Sequence, residues 1–477
     1  MKKTLIALFL FLTIKSQAQI ADLVTHDIVK DSIIARFNRT DFKGIYTLAD
    51  SSFKAGISEN DLVEFLKNFI SLGKIKKSSL LSQDKESYLY RLQFARKSMK
   101  LTLGVANAKS YTSFGLDLFR LPAERTRTNF PSDNPLKTSL DSAVQKAVTN
   151  YMSNKNVSGI SVGVIKEGKM YSYNFGEVKK GSKQLTNNNT IYELGSISKT
   201  FTGILLAVAV YENKLKLDDD IRKYLDGNFA NLQFDGTPIK IVNLANHTSR
   251  LPSRPTLDNS YISPMDETFS MKFSNKMLSD ILSSVVIDTL PGTRREYSNF
   301  AVSLLGVILE KVYGMSYEEI LKKYICSPYK MTHTKITLSK TEKNNYAQGY
   351  SIDGSTTSYW INSLVNPAGG IRSNISDMLL YVKQQLNQQN KAATFSHQLT
   401  FGNDNDGVGL LWGIDKTKSN TNLRWAHDGS TDGFSSLLWI LPELNAGIIL
   451  LTNNGDVFDE TFNNEICKTN YQNLLKK

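Results

Sequence analysis

The sequence predicts two folded units of mixed α+β and α/β class: a small α+β domain at residues 20–120 and a larger domain at residues 136–477. In the larger domain we expect an antiparallel sheet flanked by helices, with a mostly helical subdomain inserted between its strands. Two observations predict this architecture. Strand patterns occur at both ends of the larger domain with helical patterns between them, and a polar stretch at residues 121–135 separates the two domains.

Length and composition are typical of a globular protein. The chain has 477 residues, of which 41% are hydrophobic and 21% charged, so it can build two or three domains with substantial cores. Its formal net charge is +12, but the basic residues are dispersed along the chain. We therefore expect no nucleic-acid partner, and the positive surface would meet anionic polymers of the cell envelope or remain solvated.

The first 18 residues have the three parts of a secretory signal peptide. Lys2 and Lys3 precede an apolar run at residues 5–14, and a short small-residue segment ends at Ala18. The apolar run is too short to span a bilayer, and no later run is long enough, so no integral membrane segment is predicted. Removing residues 1–18 deletes three lysines and no acidic residue, which lowers the charge to +9. We expect a soluble exported protein, periplasmic or extracellular.

The small domain is predicted to place helices before strands. Ser58–Asp61 has the pattern of a helix cap, and alternating apolar residues at 88–94 and 99–103 indicate half-buried strands. The predicted helix after the cap would carry four residues on its apolar face: Leu62, Phe65, Leu66 and Phe69. In outline this domain resembles the cone-shaped folds similar to nuclear transport factor 2, and a binding or spacing role is expected for it.

The larger domain follows the linker 121–135, which carries three prolines. A helix is predicted at Ser139–Met152, and residues 157–175 form two strands turned around Glu167–Gly168. At the far end, three further elements are predicted: strands at Ser435–Leu441 and Ala446–Thr452, and a last helix at about 456–475. A cleft between the sheet and the inserted helices is the expected site.

Ser196 and Lys199 stand three residues apart where a helix begins. Residues 201–211 are almost all apolar, which predicts a helix buried on nearly all sides. Positions i and i+3 share a helix face, so Ser196 Oγ and Lys199 Nζ can form a hydrogen bond. Ser196 is expected in the first turn, where free N–H groups favour developing negative charge. The pair predicts a nucleophile beside its base, although this pattern alone is common.

Two downstream motifs complete a set. Tyr297 and Asn299 form a Tyr-x-Asn motif, and His427–Gly429 form a His-x-Gly triplet just before the terminal strand pair. With Ser-x-x-Lys in this order, they resemble the penicillin-recognising serine hydrolases, most closely the class C β-lactamases, DD-peptidases and related esterases. Segments 246–252 and 366–373 are also similar to family segments. The resemblance covers residues from about 138 to the end.

The resemblance implies catalytic roles for three residues. Ser196 would be acylated, and Lys199 would take its proton if burial or nearby positive charge lowers the pKa of the amine. Tyr297 would relay a proton to the leaving group and later activate water, especially if nearby cations lower its pKa.

Four further residues are implied to bind substrate. Asn299 would hold Lys199 and meet a substrate carbonyl. Gly429 would lie on an edge strand and let the substrate backbone approach. The N–H groups of Ser196 and Ser430 would form the oxyanion hole, and His427 would face the cleft.

The sequence departs from the family pattern at two positions. His427 stands where the family most commonly has lysine, and a histidine is largely neutral at pH 7, so a fixed charge for a substrate carboxylate is lost. This weakens the case for β-lactamase activity and favours peptidase or esterase relatives, with D-amino-acid peptides among the candidate substrates. Arg250 stands where glycine is usual, which suggests altered turn geometry, and neighbouring His247 is interpreted as scaffold.

Neither a metal nor a cofactor is predicted. Asp218–Asp220 are interpreted as a helix N-terminus, and His26, His333 and His397 are scattered. Cys326 and Cys467 could form one disulfide or remain two buried thiols. The expected partner is a small-molecule or peptide substrate. The alternative of another class is a catalytically silent binding or sensor protein, which the presence of Ser196, Lys199 and Tyr297 disfavours.

Overall fold

The computed structural model describes residues 24–67, 69–83, 87–94, 98–118, 126–253, 275–359, 365–416 and 422–455. The chain divides into two compact units, residues 1–122 and 123–477. The predicted signal segment 1–18, the predicted helix 456–475 and Cys467 lie outside the described residues.

The first unit has its helices before its strands, as the sequence predicts. Its helices are α1 (24–37), α2 (Phe42–Thr47), α3 (Ser51–Gly56) and α4 (Glu59–Lys67), and its strands are β1 (Ile75–Gln83), β2 (Tyr88–Phe94), β3 (Ser98–Asn107) and β4 (Ser110–Leu118). The strands form an antiparallel sheet in the order β1-β2-β3-β4. Every second residue of β2 is buried, starting at Tyr88, which is the predicted period. The likeness to nuclear transport factor 2 folds stays a prediction.

Helix α4 is capped as predicted but shorter than its apolar pattern. Ser58 Oγ accepts a hydrogen bond from the Asp61 N–H, which satisfies a donor of the first turn. The helix ends at Lys67, so Phe69 follows it, and Phe65 is partly exposed. Only Leu62 and Leu66 of the predicted apolar face are buried.

The second unit is built on an eight-stranded antiparallel sheet. Its strands are β5 (Gly159–Lys166), β6 (Lys169–Gly176), β11 (Phe401–Asn403), β12 (Asp406–Val408), β13 (Gly413–Lys416), β14 (Leu423–Ser430), β15 (Ser435–Leu441) and β16 (Ala446–Thr452). They lie side by side in the order β11-β12-β13-β14-β15-β16-β5-β6. Two short ribbons, β7 (Tyr192–Glu193) with β10 (Arg372–Ser373) and β8 (Gln233–Phe234) with β9 (Thr237–Pro238), lie in the insertion. Pairing of β16 with β5 closes the sheet with segments from both ends of the unit, which confirms the predicted architecture.

Both faces of this sheet are covered. On β16, Ile448 and Leu450 join a core with helix α5 (Ser139–Met152), whereas Ile449 and Leu451 join the core of the inserted helices. Successive side chains of a strand point to opposite faces, so one strand serves both cores. The sheet therefore lies between α5 and the helical subdomain.

The helical subdomain surrounds one buried helix. Helix α6 (Ser198–Tyr211) has 11 of its 14 residues buried, as its apolar sequence predicts. The remaining helices are α7 (Ile241–Ala245), α8 (Asn275–Ser284), α9 (Asn299–Tyr313), α10 (Tyr317–Leu321), α11 (Ser327–Tyr329), α12 (Asn366–Gly369), α13 (Ile375–Leu386) and α14 (Lys391–Ser396). Among the described residues no single helix could cross a bilayer by length and composition, although α9 and the segment Tyr317–Tyr329, bent by 79°, could as a pair.

Candidate active site

Ser196 lies on a tight turn between the β7 ribbon and α6. The turn is a 3₁₀ segment, Gly195–Ile197, that continues directly into α6, so Ser196 stands in the first turn of the continuous helix Gly195–Tyr211, as the sequence pattern predicts. Gly195 has φ +52°, and a Cβ there would lie 2.6 Å from Ser430 N. On the facing strand, a Cβ on Gly429 would lie 2.9 Å from Ser196 N. These two glycines let β14 contact the Ser196 turn directly.

Lys199 is the buried partner of Ser196. Its side chain projects from α6 with 0% exposure, and Nζ donates to Ser196 Oγ at 3.0 Å and to the Ala368 carbonyl at 2.6 Å. Burial lowers the pKa of Lys199 to about 7, against the opposing effect of the Asp428 carboxylate. A large fraction of the amine is therefore unprotonated near neutral pH and can accept the Ser196 proton.

The predicted contact between Asn299 and Lys199 is wrong. Asn299 is the first residue of α9, and no hydrogen bond between the described residues joins its amide to Lys199. The Ala368 carbonyl of α12 holds the amine instead. A backbone acceptor from a helix 169 positions away cannot be identified from motif spacing.

Tyr297 is the second group at Ser196. Its hydroxyl donates to Ser196 Oγ at 2.7 Å, and its ring centroid lies 4.8 Å from Lys199 Nζ. Although 41% of the residue is exposed, the surrounding protein raises the pKa of Tyr297, and the Asp428 charge adds to this effect. The condition named for water activation, a pKa of Tyr297 lowered by nearby cations, is not met. Tyr297 is a neutral proton donor, whereas Lys199 is tuned toward a base, and this separation suits acid and base roles.

His247 supports Tyr297. The two rings lie 4.6 Å apart, and His247 Nδ1 accepts a hydrogen bond from the Ser298 N–H at 3.3 Å. Burial lowers the pKa of His247 well below its usual value, with a further contribution from Lys199. The sequence predicts a scaffold residue here. It does not predict the contact with Tyr297, because the two residues are 50 positions apart in the chain.

Strand β14 brings His427, Gly429 and Ser430 to the same place. Its pairing with β13 ends at Ala426, whereas its pairing with β15 continues to Ser430. The triplet His427–Gly429 therefore lies on an open edge, as predicted, although β14 is an inner strand up to Ala426. The length of β13 decides where this edge begins.

The triplet carries one neutral and one acidic side chain. His427 Nδ1 lies 2.6 Å from the Asp428 carbonyl oxygen. The imidazole keeps some exposure, yet the surrounding protein lowers the pKa of His427 to about 4, with Asp428 opposing and Lys199 reinforcing the shift. His427 is therefore neutral at pH 7, as expected. Asp428 is exposed, and sequence reasoning passed over it.

The other polar clusters are structural. Asp220 caps the short 3₁₀ helix Ile221–Tyr224, which agrees with the predicted helix start. Cys326 is a buried free thiol that donates to the Thr334 carbonyl. Among the described residues, no group of three His, Cys, Asp or Glu side chains is placed to hold a metal ion.

Comparison with known proteins places the second unit among enzymes with this architecture. Residues 144–465 match the family model described as "Beta-lactamase". A protein named Beta-lactamase from Escherichia coli (strain K12) is 28% identical over 350 residues, covering 66% of this chain and 89% of the relative. A structure described as a class C beta-lactamase aligns with a TM-score of 0.62 at 26% identity, covering 72% of this chain and 99% of that one. A beta-lactamase/D-alanine carboxypeptidase from Pseudomonas syringae aligns with a TM-score of 0.61 at 22% identity, covering 70% and 99%, which shows likeness of fold.

Proposed function

This chain belongs to the β-lactamase family of serine hydrolases, which act through an acyl-enzyme, and we propose that Ser196 carries the acyl group and that the substrate is an ester or amide of peptidase or esterase type. One observation carries the proposal. Ser196 Oγ accepts hydrogen bonds from both Lys199 Nζ, at 3.0 Å, and Tyr297 Oη, at 2.7 Å. A serine between a base and an acid is arranged for nucleophilic attack.

Acylation uses the three groups in turn. Lys199 accepts the Ser196 proton as Oγ attacks the carbonyl, and the oxyanion faces the N–H groups of Ser196 and Ser430. Tyr297 then donates its proton to the leaving group as the bond to the acyl carbon breaks. Proton transfer from Lys199 to Tyr297 returns both side chains to their neutral forms.

Deacylation runs the same steps with water in place of the leaving group. As water attacks the ester it gives a proton to the Tyr297 oxygen while Tyr297 passes its own proton to Lys199, and Lys199 then gives that proton to Ser196 Oγ when the acid product leaves. The Lys199 and Tyr297 pair holds the same number of protons before and after each half-reaction. No cofactor enters this scheme.

Peptidase or esterase activity is favoured over β-lactamase activity by the charges of the triplet. His427 is neutral, and exposed Asp428 would repel a substrate carboxylate such as that of a β-lactam. A class C-like β-lactamase is the second candidate, because the relatives described above carry that name. A silent binding or sensor protein is disfavoured by the intact hydrogen bonds at Ser196.

Location and domain roles are also part of the proposal. The pattern of residues 1–18 supports export to the periplasm or the outside of the cell. Residues 20–120 would act in binding or spacing, residues 121–135 would link the units, and residues 136–477 would carry catalysis. Dispersed positive charge would allow contact with anionic envelope polymers.

Active-site labelling tests the proposal. A fluorophosphonate or a fluorescent penicillin should modify Ser196, located by mass spectrometry, and Ser196→Ala should abolish both labelling and turnover while the melting temperature stays similar. Nitrocefin, a D-Ala-D-Ala peptide and short p-nitrophenyl esters, assayed on one preparation, separate the three activities. Modification at another residue, or turnover retained by the alanine variant, would overturn the proposal.

A further inference from the structure

Asp428 presents a carboxylate at the open edge of β14. It is exposed, and it immediately precedes Gly429, whose backbone contacts the Ser196 turn. Among the described residues, no lysine, arginine or histidine side chain lies within ion-pair distance of it. This charge is therefore available to a bound molecule.

Among the described residues, the basic groups around the site are buried, neutral or paired with other carboxylates. Lys199 is fully buried, and His427 is neutral at pH 7. The Arg295 guanidinium lies 3.2 Å from Asp406, and Arg250 pairs with two other carboxylates. A ligand reaching Ser196 along the open edge of β14 consequently meets this carboxylate one residue before Gly429, the residue that contacts the Ser196 turn.

Asp428 also acts electrostatically on the reacting groups. Its charge raises the pKa of Lys199 and that of Tyr297, opposing the effect of burial on the first and adding to it on the second. The position of Asp428 in the chain agrees with this, because it is the residue before Gly429, where a Cβ would lie 2.9 Å from Ser196 N.

We propose that Asp428 selects substrates that carry a protonated amine close to the scissile carbonyl and disfavours those that carry a carboxylate there. This inference rests on the proposed function, because it assigns a substrate class to the same Ser196 site. Asp428 is a specificity residue in this view: it binds the ammonium group and takes no part in proton transfer.

Three p-nitrophenyl esters test the inference. They share one acyl chain length and differ only in the terminal group, which is an ammonium, an uncharged amide or a carboxylate. We expect kcat/KM to fall in that order, by about 10-fold at each step at low salt. In Asp428→Asn, the ratio of kcat/KM between the ammonium and amide esters and that between the amide and carboxylate esters should both approach one. In Asp428→Lys, the carboxylate ester should have the highest kcat/KM and the ammonium ester the lowest. The preference should weaken in 1 M NaCl, where the Debye length is about 3 Å.

The control is Asp226→Asn, which makes the same change of net charge at an exposed carboxylate paired with Lys311. Its selectivity should equal that of the wild type. Equal kcat/KM values for the three esters would overturn the inference. So would a preference for the carboxylate ester that is lost in Arg295→Gln. In either case, turnover that depends on Ser196 would leave the proposed function intact. Absence of any Ser196-dependent turnover would overturn both.

Discussion

Arg250 donates through Nη1 to Glu296 at 2.7 Å, and Glu296 immediately precedes Tyr297. The other side of the guanidinium fork bonds Asp288 at 2.8 and 2.7 Å. The Glu296 N–H in turn donates to the His247 carbonyl at 2.7 Å. These bonds connect the segment before Tyr297 to the turn that carries His247, so Arg250 holds Tyr297 in position.

The backbone at Arg250 has a conformation that glycine favours. Its φ is +64°, in the left-handed region, so the arginine occupies a strained position. The strain costs about 1 kcal/mol. Only 5% of the arginine side chain is exposed, and its two ion pairs offset that cost.

Two substitutions at Arg250 separate the backbone strain at this residue from its positioning of Tyr297. Arg250→Gly loses the ion pairs but relieves the strain, so we expect a stability within about 1 kcal/mol of the wild type. Arg250→Ala loses the ion pairs and keeps the strain, so it should be less stable than the glycine variant by about 1 kcal/mol. Both should lower kcat more than they change KM, because Tyr297 is less firmly placed. Unchanged kcat in both variants would contradict the role of Arg250 in positioning Tyr297.

The pH dependence of turnover should report Lys199. Its pKa is lowered to about 7, so kcat/KM should rise as the amine loses its proton near that pH and then reach a plateau. The raised pKa of Tyr297 keeps the phenol protonated, so the plateau should continue through alkaline pH. Profiles of kcat/KM for a neutral p-nitrophenyl ester measure this directly.

Two variants test whether the midpoint of this rise in kcat/KM reports the titration of Lys199. Asp428→Asn removes a negative charge that stabilises the ammonium form, so the midpoint should move to lower pH. Lys199→Arg cannot deprotonate near neutral pH, and its activity should fall by about 10²-fold or more at every pH. A midpoint that stays fixed in Asp428→Asn, or substantial turnover by the arginine variant, would point to another titrating group.

Tyr297→Phe should distinguish substrates by their leaving groups. The variant loses the donor to Ser196 Oγ, and an amine leaving group needs a proton whereas p-nitrophenolate does not. We expect kcat/KM to fall by about 10²- to 10⁴-fold for an amide and by considerably less for a p-nitrophenyl ester. Parallel assays of an anilide and an ester with the same acyl group measure the difference. Equal losses would indicate a positioning role for Tyr297.

The sequence predicts the local parts of this site because they depend on neighbours in the chain. Ser196 and Lys199 are three residues apart, and the strands Ser435–Leu441 and Ala446–Thr452 have the predicted bounds because short, nearly continuous apolar runs end at turn residues. The sheet closed by both ends of the unit is predicted from the order of strand and helix patterns and is confirmed. The family resemblance rests on the three motifs and is confirmed by the family match.

Tertiary packing decides the rest. The contact of Lys199 with Ala368 and that of His247 with Tyr297 join segments 169 and 50 positions apart, and no local preference encodes either. The pKa of Tyr297 is a similar case, because the sequence shows basic residues nearby but gives no measure of burial. The charges around a site can be counted in a sequence, whereas desolvation requires the structure.

His397 should make the folded state sensitive to acid. It is 5% exposed, stacks 3.8 Å from Trp425, and neither ring nitrogen has a hydrogen-bond partner among the described residues. Burial lowers the pKa of His397 to about 3. Between about pH 6.5 and 3 the unfolded state therefore binds more protons, and stability falls as the pH is lowered through this window. The slope from one such group is at most about 1.4 kcal/mol per pH unit.

His397→Phe should lower, by the contribution of one proton, the slope of the free energy of unfolding against pH. Urea unfolding at pH 6.5, 5.5 and 4.5 measures this slope. His247 and His427 also have lowered pKa values, so a shallower slope should remain. An unchanged slope in the variant would contradict the assignment, whatever its absolute stability.

The contact between Gly429 and the Ser196 turn should be required for turnover. A Cβ at Gly429 would lie 2.0 Å from the Leu194 carbonyl oxygen and 2.9 Å from Ser196 N, so Gly429→Ala must push β14 away from the turn. This separates the two proposed oxyanion donors, and loss of one such donor costs about 10²- to 10³-fold in kcat. Gly115→Ala, where the added Cβ meets only Thr102 at 3.8 Å, is the control and should keep wild-type rates. If Gly429→Ala also kept them, the N–H groups of Ser196 and Ser430 could not be the oxyanion hole, because their separation would have changed without consequence.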